Sequence, residues 1–179
     1  GLIQIPSADE TITVCKELRE VLYIFTEVQT YAIQDNGEEP ADWGDPNSLN
    51  QGLGSVLHGI ATSLDLGGVS VDFLIIANFS GIYLFNGLFQ FPELSYKIAD
   101  LWTDFSFSQY VNIQFYNDTI LKRLYIIAPD QQSLFYADYQ HGLDLMKIRW
   151  MPWVTNYEIT SICLQHLNEL VIASAGPLA

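Results

Sequence analysis

The sequence predicts an all-β fold, a β-propeller segment of about three blades plus part of a fourth, with a short helix near residues 93–102. Three observations predict it. Four apolar cores, Leu22-Tyr23-Ile24-Phe25, Phe73-Leu74-Ile75-Ile76, Leu124-Tyr125-Ile126-Ile127 and Leu170-Val171-Ile172-Ala173, recur along the 179 residues. Their marker leucines, Leu22, Leu74, Leu124 and Leu170, step by 52, 50 and 46 residues, and strand-rich sequence with a period of about 40–50 residues is what propeller blades produce. In the second unit, the clearest, the apolar run of each strand is also bounded by turn residues.

Four units follow, at about residues 10–54, 55–105, 106–156 and 157–179. In the first, 11–18 has too few apolar positions for a helix. Strands are expected over 20–26 and 29–34, with the break at Glu27-Val28 making a tight hairpin. Asp35-Asn36-Gly37 supplies a turn that tolerates positive φ. A long polar loop then runs from Gly37 to Gly54. Loops of that length in compact folds are functional or serve an interface.

The second unit opens with a strand over 55–64. It continues with a strand over 72–77, a turn at Asn78-Phe79-Ser80-Gly81, a strand over 82–85 and a stop at Asn86-Gly87. Apolar residues at 94, 98, 101 and 102 have helical spacing, which gives the one short helix. In the third unit, Val111, Ile113 and Phe115 alternate with polar residues in a strand over 110–116. Strands over 122–128 and 133–139 follow, stopped by Pro129-Asp130 and His141-Gly142. The segment 145–150 alternates as a half-buried strand does. The fourth unit shows strands over 159–164 and 169–174 around a turn at 166–168. Three units and a fragment do not close a ring, so the remaining blades are expected outside this segment or from a partner.

Composition narrows the function classes. Apolar residues make up 49% and charged residues 16%, which suits a packed core. With 21 acids against 7 basic residues the net charge is −14. Such a surface repels phosphates, so sequence-specific nucleic-acid binding is not expected. Ten of the acids fall in the first 50 residues. Cys15 and Cys163 are read as two reduced core thiols, since a free cysteine packs as a small apolar residue. No cysteine or histidine cluster has metal-ligand spacing. The chain starts at Gly1 without a signal-like stretch and ends directly after an apolar run, so a segment of a longer polypeptide is expected. Turn formers interrupt the apolar stretch 73–89, which excludes a membrane-spanning helix there.

Several stretches resemble one known group. Gly-Ile-Tyr-Leu-Phe-Asn-Gly at 81–87, followed by Pro92-Glu93-Leu94-Ser95-Tyr96-Lys97-Ile98, resembles a segment of bacteriophage virion propeller proteins. Leu22-Tyr23-Ile24-Phe25, Gln29-Thr30-Tyr31-Ala32-Ile33 and Pro40-Ala41-Asp42-Trp43 are similar to the preceding blade of that group. Leu143-Asp144-Leu145-Met146-Lys147-Ile148-Arg149-Trp150 looks like its blade-closing strand. The group includes tail nozzle (tail tubular) proteins and packaged-DNA stabilisation proteins of short-tailed phages, and the likeness spans most of 20–175. It implies a virion subunit, at the tail or head–tail junction, forming part of a homo-oligomeric ring with other virion proteins around the DNA exit path. It implies no catalytic residue, cofactor or metal.

Chemistry-bearing residues are few. The loop acids Glu38, Glu39, Asp42 and Asp45, with Asp35, could offer oxygen ligands to Ca²⁺, but they lack the EF-hand pattern and read more simply as a solvated loop or a negative channel wall. Gly52-Leu53-Gly54-Ser55 has no following lysine, which excludes a phosphate loop. His58, His141 and His166 lack an activated nucleophile beside them. Trp102 and Trp150 read as core. Trp43 and Trp153, each near a proline in loop-like sequence, are the candidate interface residues. The competing function is an extracellular carbohydrate-binding or carbohydrate-cleaving propeller, with these tryptophans stacking on sugars. A peptide-binding propeller lacks its Trp-Asp repeat signature.

Overall fold

The computed structural model describes residues 5–6, 9–39, 42–51, 53–56, 60–65, 70–87, 94–104, 113–118, 120–128, 133–138, 149–154, 157–165 and 169–177. The described chain is mostly strand, arranged in four antiparallel sheets, none of them closed on itself. Each sheet is a meander of consecutive strands. The first contains β1 (Ile12–Leu18), β2 (Val21–Thr26), β3 (Gln29–Gln34) and β4 (Asn47–Gln51). The second contains β5 (Ile60–Asp65), β6 (Ser70–Asn78) and β7 (Gly81–Phe85). The third contains β8 (Gln114–Asp118), β9 (Arg123–Ala128), β10 (Ser133–Asp138) and β11 (Arg149–Val154), and the fourth contains β12 (Tyr157–Gln165) and β13 (Glu169–Pro177).

The apolar cores found in the sequence are the second strand of each sheet, and their alternation decides which way each sheet faces. Tyr23 and Phe25 of β2 pack with Val14, Leu18, Leu74, Ile76 and Phe85, joining the first sheet to the second. The Phe85 ring meets Tyr23 and Phe25 edge-on at 4.8 and 5.5 Å between centroids, the offset that aromatic quadrupoles favour. Phe73, Ile75 and Ala77 point the other way, into a cluster with Leu124, Ile126, Phe135 and Ala137 of the third sheet. Tyr125 and Ile127 again reverse direction and pack against Ile159, Ile162 and Ile172 of the fourth. The sheets are therefore stacked face to face in chain order. Within the stack, first strands lie near one another, β5 against β8 and β8 against β12.

Residues 53–56 stitch the first two sheets together. Ser55 is fully buried. Its N–H donates to the Thr26 carbonyl at 2.8 Å, its hydroxyl bonds the carbonyl and N–H of Ala77 at 3.1 and 3.3 Å, and Val56 N–H donates to Ala77 O at 2.8 Å. The Thr13 hydroxyl also reaches Ser55 O. Among the described residues the β5–β6 pairing runs as far as Ile60↔Ile75, and Ser55 bonds Ala77 two positions beyond it.

The helix expected near 93–102 is present as a 3₁₀ turn, Tyr96–Ile98, leading into α1 (Ala99–Thr103); residue 93 lies outside the described residues. Trp102 seals the core at 1% exposure and donates its indole N–H to Asn78 O at 2.9 Å, while Leu101 is half exposed. Trp150 packs on the same cluster and donates to Leu94 O at 2.9 Å. No helix among the described residues is long and apolar enough to cross a membrane.

The structure differs from the sequence expectations at four places. The polar loop 37–54 contains β4, paired to β3; its residues are exposed where described, and an edge strand of this kind is held by backbone bonds with no apolar alternation to announce it. Of the strand expected over 55–64, Ser55 and Val56 instead form the clamp and the strand β5 runs Ile60–Asp65, with 57–59 outside the described residues. Trp153 lies in β11, its backbone opposite Leu134, although Pro152 precedes it; Pro152 falls on the edge strand, where a missing N–H is tolerated. Cys15 and Cys163 are free and exposed, not core thiols, because each occupies an outward position on a terminal sheet. The segments 145–148 and 166–168 lie outside the described residues, as do His58, His141 and His166.

Candidate functional site

Asp35 and Asn36 begin the acidic loop with two successive side-chain turns. Asp35 Oδ1 accepts from Gly37 N–H at 2.8 Å, and Asn36 Oδ1 accepts from Glu38 N–H at 3.1 Å. Both residue types bond their own backbone two positions on, and Gly37 takes φ +78°, where it has no Cβ to strain. Asp42 N–H then donates to Glu39 O at 2.8 Å, and Asn36 Nδ2 donates to Asp42 O at 3.3 Å. The loop is thereby folded back on itself. Asp35, Glu38, Glu39, Asp42 and Asp45 all remain exposed. Among the described residues no group of three or more acids, histidines or cysteines is placed to hold a metal ion.

Trp43 ties this loop to the sheet. Its indole N–H donates to Glu38 O at 3.1 Å, and its ring packs, half-buried, on the cluster of Ile5, Ile24, Tyr31 and Ile33. That cluster lies on the first sheet's outer face, away from the second sheet. Trp153 belongs to the third sheet. The second sheet stands between the two tryptophans, so the structure does not bring them into one site.

A feature that the sequence reading passed over runs across the third sheet. The register places Asp118 opposite Arg123, Arg123 opposite Asp138, and Asp138 opposite Arg149. One step further in, Tyr116, Tyr125, Tyr136 and Met151 form a parallel row. The tyrosine rings stand 6.3 and 5.8 Å apart, and the Tyr136 hydroxyl donates to Met151 Sδ at 2.9 Å. Arg123 lies over the Tyr136 ring, 5.1 Å from its centroid, a cation–π arrangement. A hydrogen bond with Tyr125 raises the Arg123 pKa above its ordinary value, opposed by burial and aided by the neighbouring tyrosines and Asp138. Opposed charges of unlike sign favour a strand pair, and Asp118 Oδ1 also accepts from Ile120 and Leu121 N–H at 2.9 Å, closing the turn between β8 and β9. The signal was available: every strand of the sheet has a charged residue two places from a tyrosine or methionine.

Asn78 and Asn117 begin glycosylation-type triplets in the sequence. Asn78 is buried, its Oδ1 accepting from Ser80 and Gly81 N–H at 2.8 and 3.2 Å. Its Nδ2 donates to Gly54 O at 3.5 Å, so the amide is committed on one side to the β6–β7 turn and on the other to the junction with the first sheet.

No protein-family model matches the chain. No curated protein matches it either.

Proposed function

We propose that this chain is the propeller part of a virion structural protein, a subunit of a tail nozzle or portal-proximal ring around the DNA exit channel of a short-tailed phage. It acts through subunit contacts and an acidic surface, without catalysis. One observation carries the reading: four meander sheets stacked face to face in chain order, each burying its second strand against its neighbours. Blades are built this way, and a ring of them encloses a channel. The sequence resemblance supplies the phage context.

The charge fits the role. At −14 the surface offers passing DNA few phosphate–cation contacts, so the duplex is not retained. The acids Glu38, Glu39, Asp42 and Asp45, all exposed, are the ones to test. Replacing Glu38 and Glu39 by Gln, and Asp42 and Asp45 by Asn, is expected to slow DNA ejection from assembled particles. An ejection rate equal to wild type contradicts the channel role. Ring particles in electron micrographs of the purified protein support the structural reading; monomers that bind a glycan array overturn it in favour of a carbohydrate-binding propeller.

A further inference from the structure

Asn36 and Gly37 form an asparagine–glycine peptide at the start of the acidic loop, both residues exposed to water. Such a pair carries chemistry of its own. With no Cβ on the glycine, its backbone nitrogen can come close to the asparagine side-chain carbonyl carbon. Attack by Gly37 N on Asn36 Cγ makes a five-membered imide. The Cγ–Nδ2 bond breaks, and the proton lost by the attacking nitrogen leaves on the ammonia. Water then opens the imide at either carbonyl. One opening gives aspartate; the other gives isoaspartate, with the main chain rerouted through the side chain. Nothing is oxidised or reduced.

The hydrogen bonds of the loop oppose each part of that step. Asp35 Oδ1 accepts from Gly37 N–H at 2.8 Å, so the nucleophile is turned toward a carboxylate. A negative charge beside that nitrogen makes loss of its proton harder. Asn36 Oδ1 is held by Glu38 N–H at 3.1 Å, and the leaving nitrogen, Nδ2, donates to Asp42 O at 3.3 Å. The carboxamide is pinned at both ends. Asp35 is fixed in turn, its own N–H donating to Glu20 O at 3.1 Å in the β1–β2 turn.

We propose that Asn36 is a latched self-modification site and a one-way release for the acidic loop. It stays intact while the turn is folded and deamidates once the turn is opened. Its product does not close the turn again, because the group facing Asp42 O changes from donor to acceptor. An amide nitrogen donates; a carboxylate oxygen only accepts. The new charge also joins Asp35, Glu38, Glu39 and Asp42, all of the same sign. A loop opened in this way no longer holds Glu38 O under the Trp43 indole N–H. Nothing in this chemistry requires a ring.

Incubating the full chain at mildly alkaline pH, with peptide mapping that separates asparagine, aspartate and isoaspartate, measures the rate at Asn36. Asn86-Gly87, the second such pair in the sequence, is the internal reference. Asn36 in the folded chain is expected to react at least about tenfold more slowly than in the urea-unfolded chain, the factor that one charge-assisted hydrogen bond is worth. Asp35→Ala should recover about that tenfold in the folded chain while leaving the rate at Asn86 unchanged. Equal rates in folded and unfolded protein, no effect of Asp35→Ala, or equal acceleration at both asparagines overturns the latch. Asn36→Asp mimics one product and keeps the acceptor for Glu38 N–H. It should speed solvent exchange of the Asp42 amide, which donates to Glu39 O in the closed loop, as read by NMR. Exchange as slow as in wild type overturns the one-way release.

Discussion

Tyr31 illustrates how one buried polar side chain ties stability to pH. Its ring is 2% exposed, and its hydroxyl donates to Gln29 Oε1 at 2.8 Å. Burial, and then the charge of Glu10, push its pKa above the ordinary 10.0. In the unfolded chain the phenol ionises near that ordinary value, while the folded chain still holds the proton. The native state then binds more protons than the unfolded one, so stability falls as pH rises above about 10. Below that pH both states are neutral at this position and nothing is lost. Tyr31→Phe is expected to cost about 1 kcal/mol at neutral pH through the lost hydrogen bond and to flatten the alkaline decline. Urea unfolding at pH 9 and pH 11 measures both; an unchanged alkaline slope in the variant contradicts the assignment. Tyr23, also raised by burial, retains part of the slope.

At the scale of elements, the junction between the first two sheets is the place where a small change has a large expected effect. A Cβ at Gly54 would meet the Thr26 carbonyl oxygen and the backbone of Glu27 and Val28, the latter two at 2.6 and 2.7 Å. Backbone cannot swing aside as a flexible side chain does. Gly54→Ala is expected to destabilise the fold by about 1–3 kcal/mol, whereas at Gly44, where nothing lies within 4 Å, alanine should change stability by less than about 0.5 kcal/mol. Chemical denaturation of the pair decides it, and equal midpoints contradict the stitched junction. The sequence suggested only a glycine-rich loop here, because the clash depends on a neighbour about 27 residues away.

Other elements were more legible. β2, β3, β6, β7 and β9 could be read from their apolar runs, since burial on both faces leaves a dense signal; β13 has such a run although Val171 and Ala173 are exposed. β4 could not, because Asn47, Ser48 and Leu49 are exposed and the strand is held by backbone pairing to β3. The cysteines misled for a related reason: Cys15 follows the buried Val14 in β1, but alternation alone does not say that its own face looks outward. The acidic loop was visible as composition, and its anchoring by Trp43 to Glu38 O was not, since that bond depends on how the turns at 35–38 fold the chain back.

For the whole molecule, the recurrence of four apolar cores carried real information about architecture: consecutive strands make the sheets, and the sheets stack in order. What the spacing did not hold was orientation. That came from parity within each core, which sends Leu74 and Leu124 back toward the preceding sheet and Phe73 and Tyr125 forward. Parity becomes legible once the register of each strand pair is known, because a shift of one residue exchanges the two faces. The same parity leaves the first and fourth sheets each with one face that no sheet among the described residues covers.

Electron cryomicroscopy of the assembled particle tests the proposed ring of sheets most directly. The account predicts a ring of radially set antiparallel sheets around a channel, with Leu22 facing one neighbouring sheet and Phe25 the other. A particle without a ring, or a density in which the first and fourth sheets close against each other as a two-layer sandwich, would contradict it.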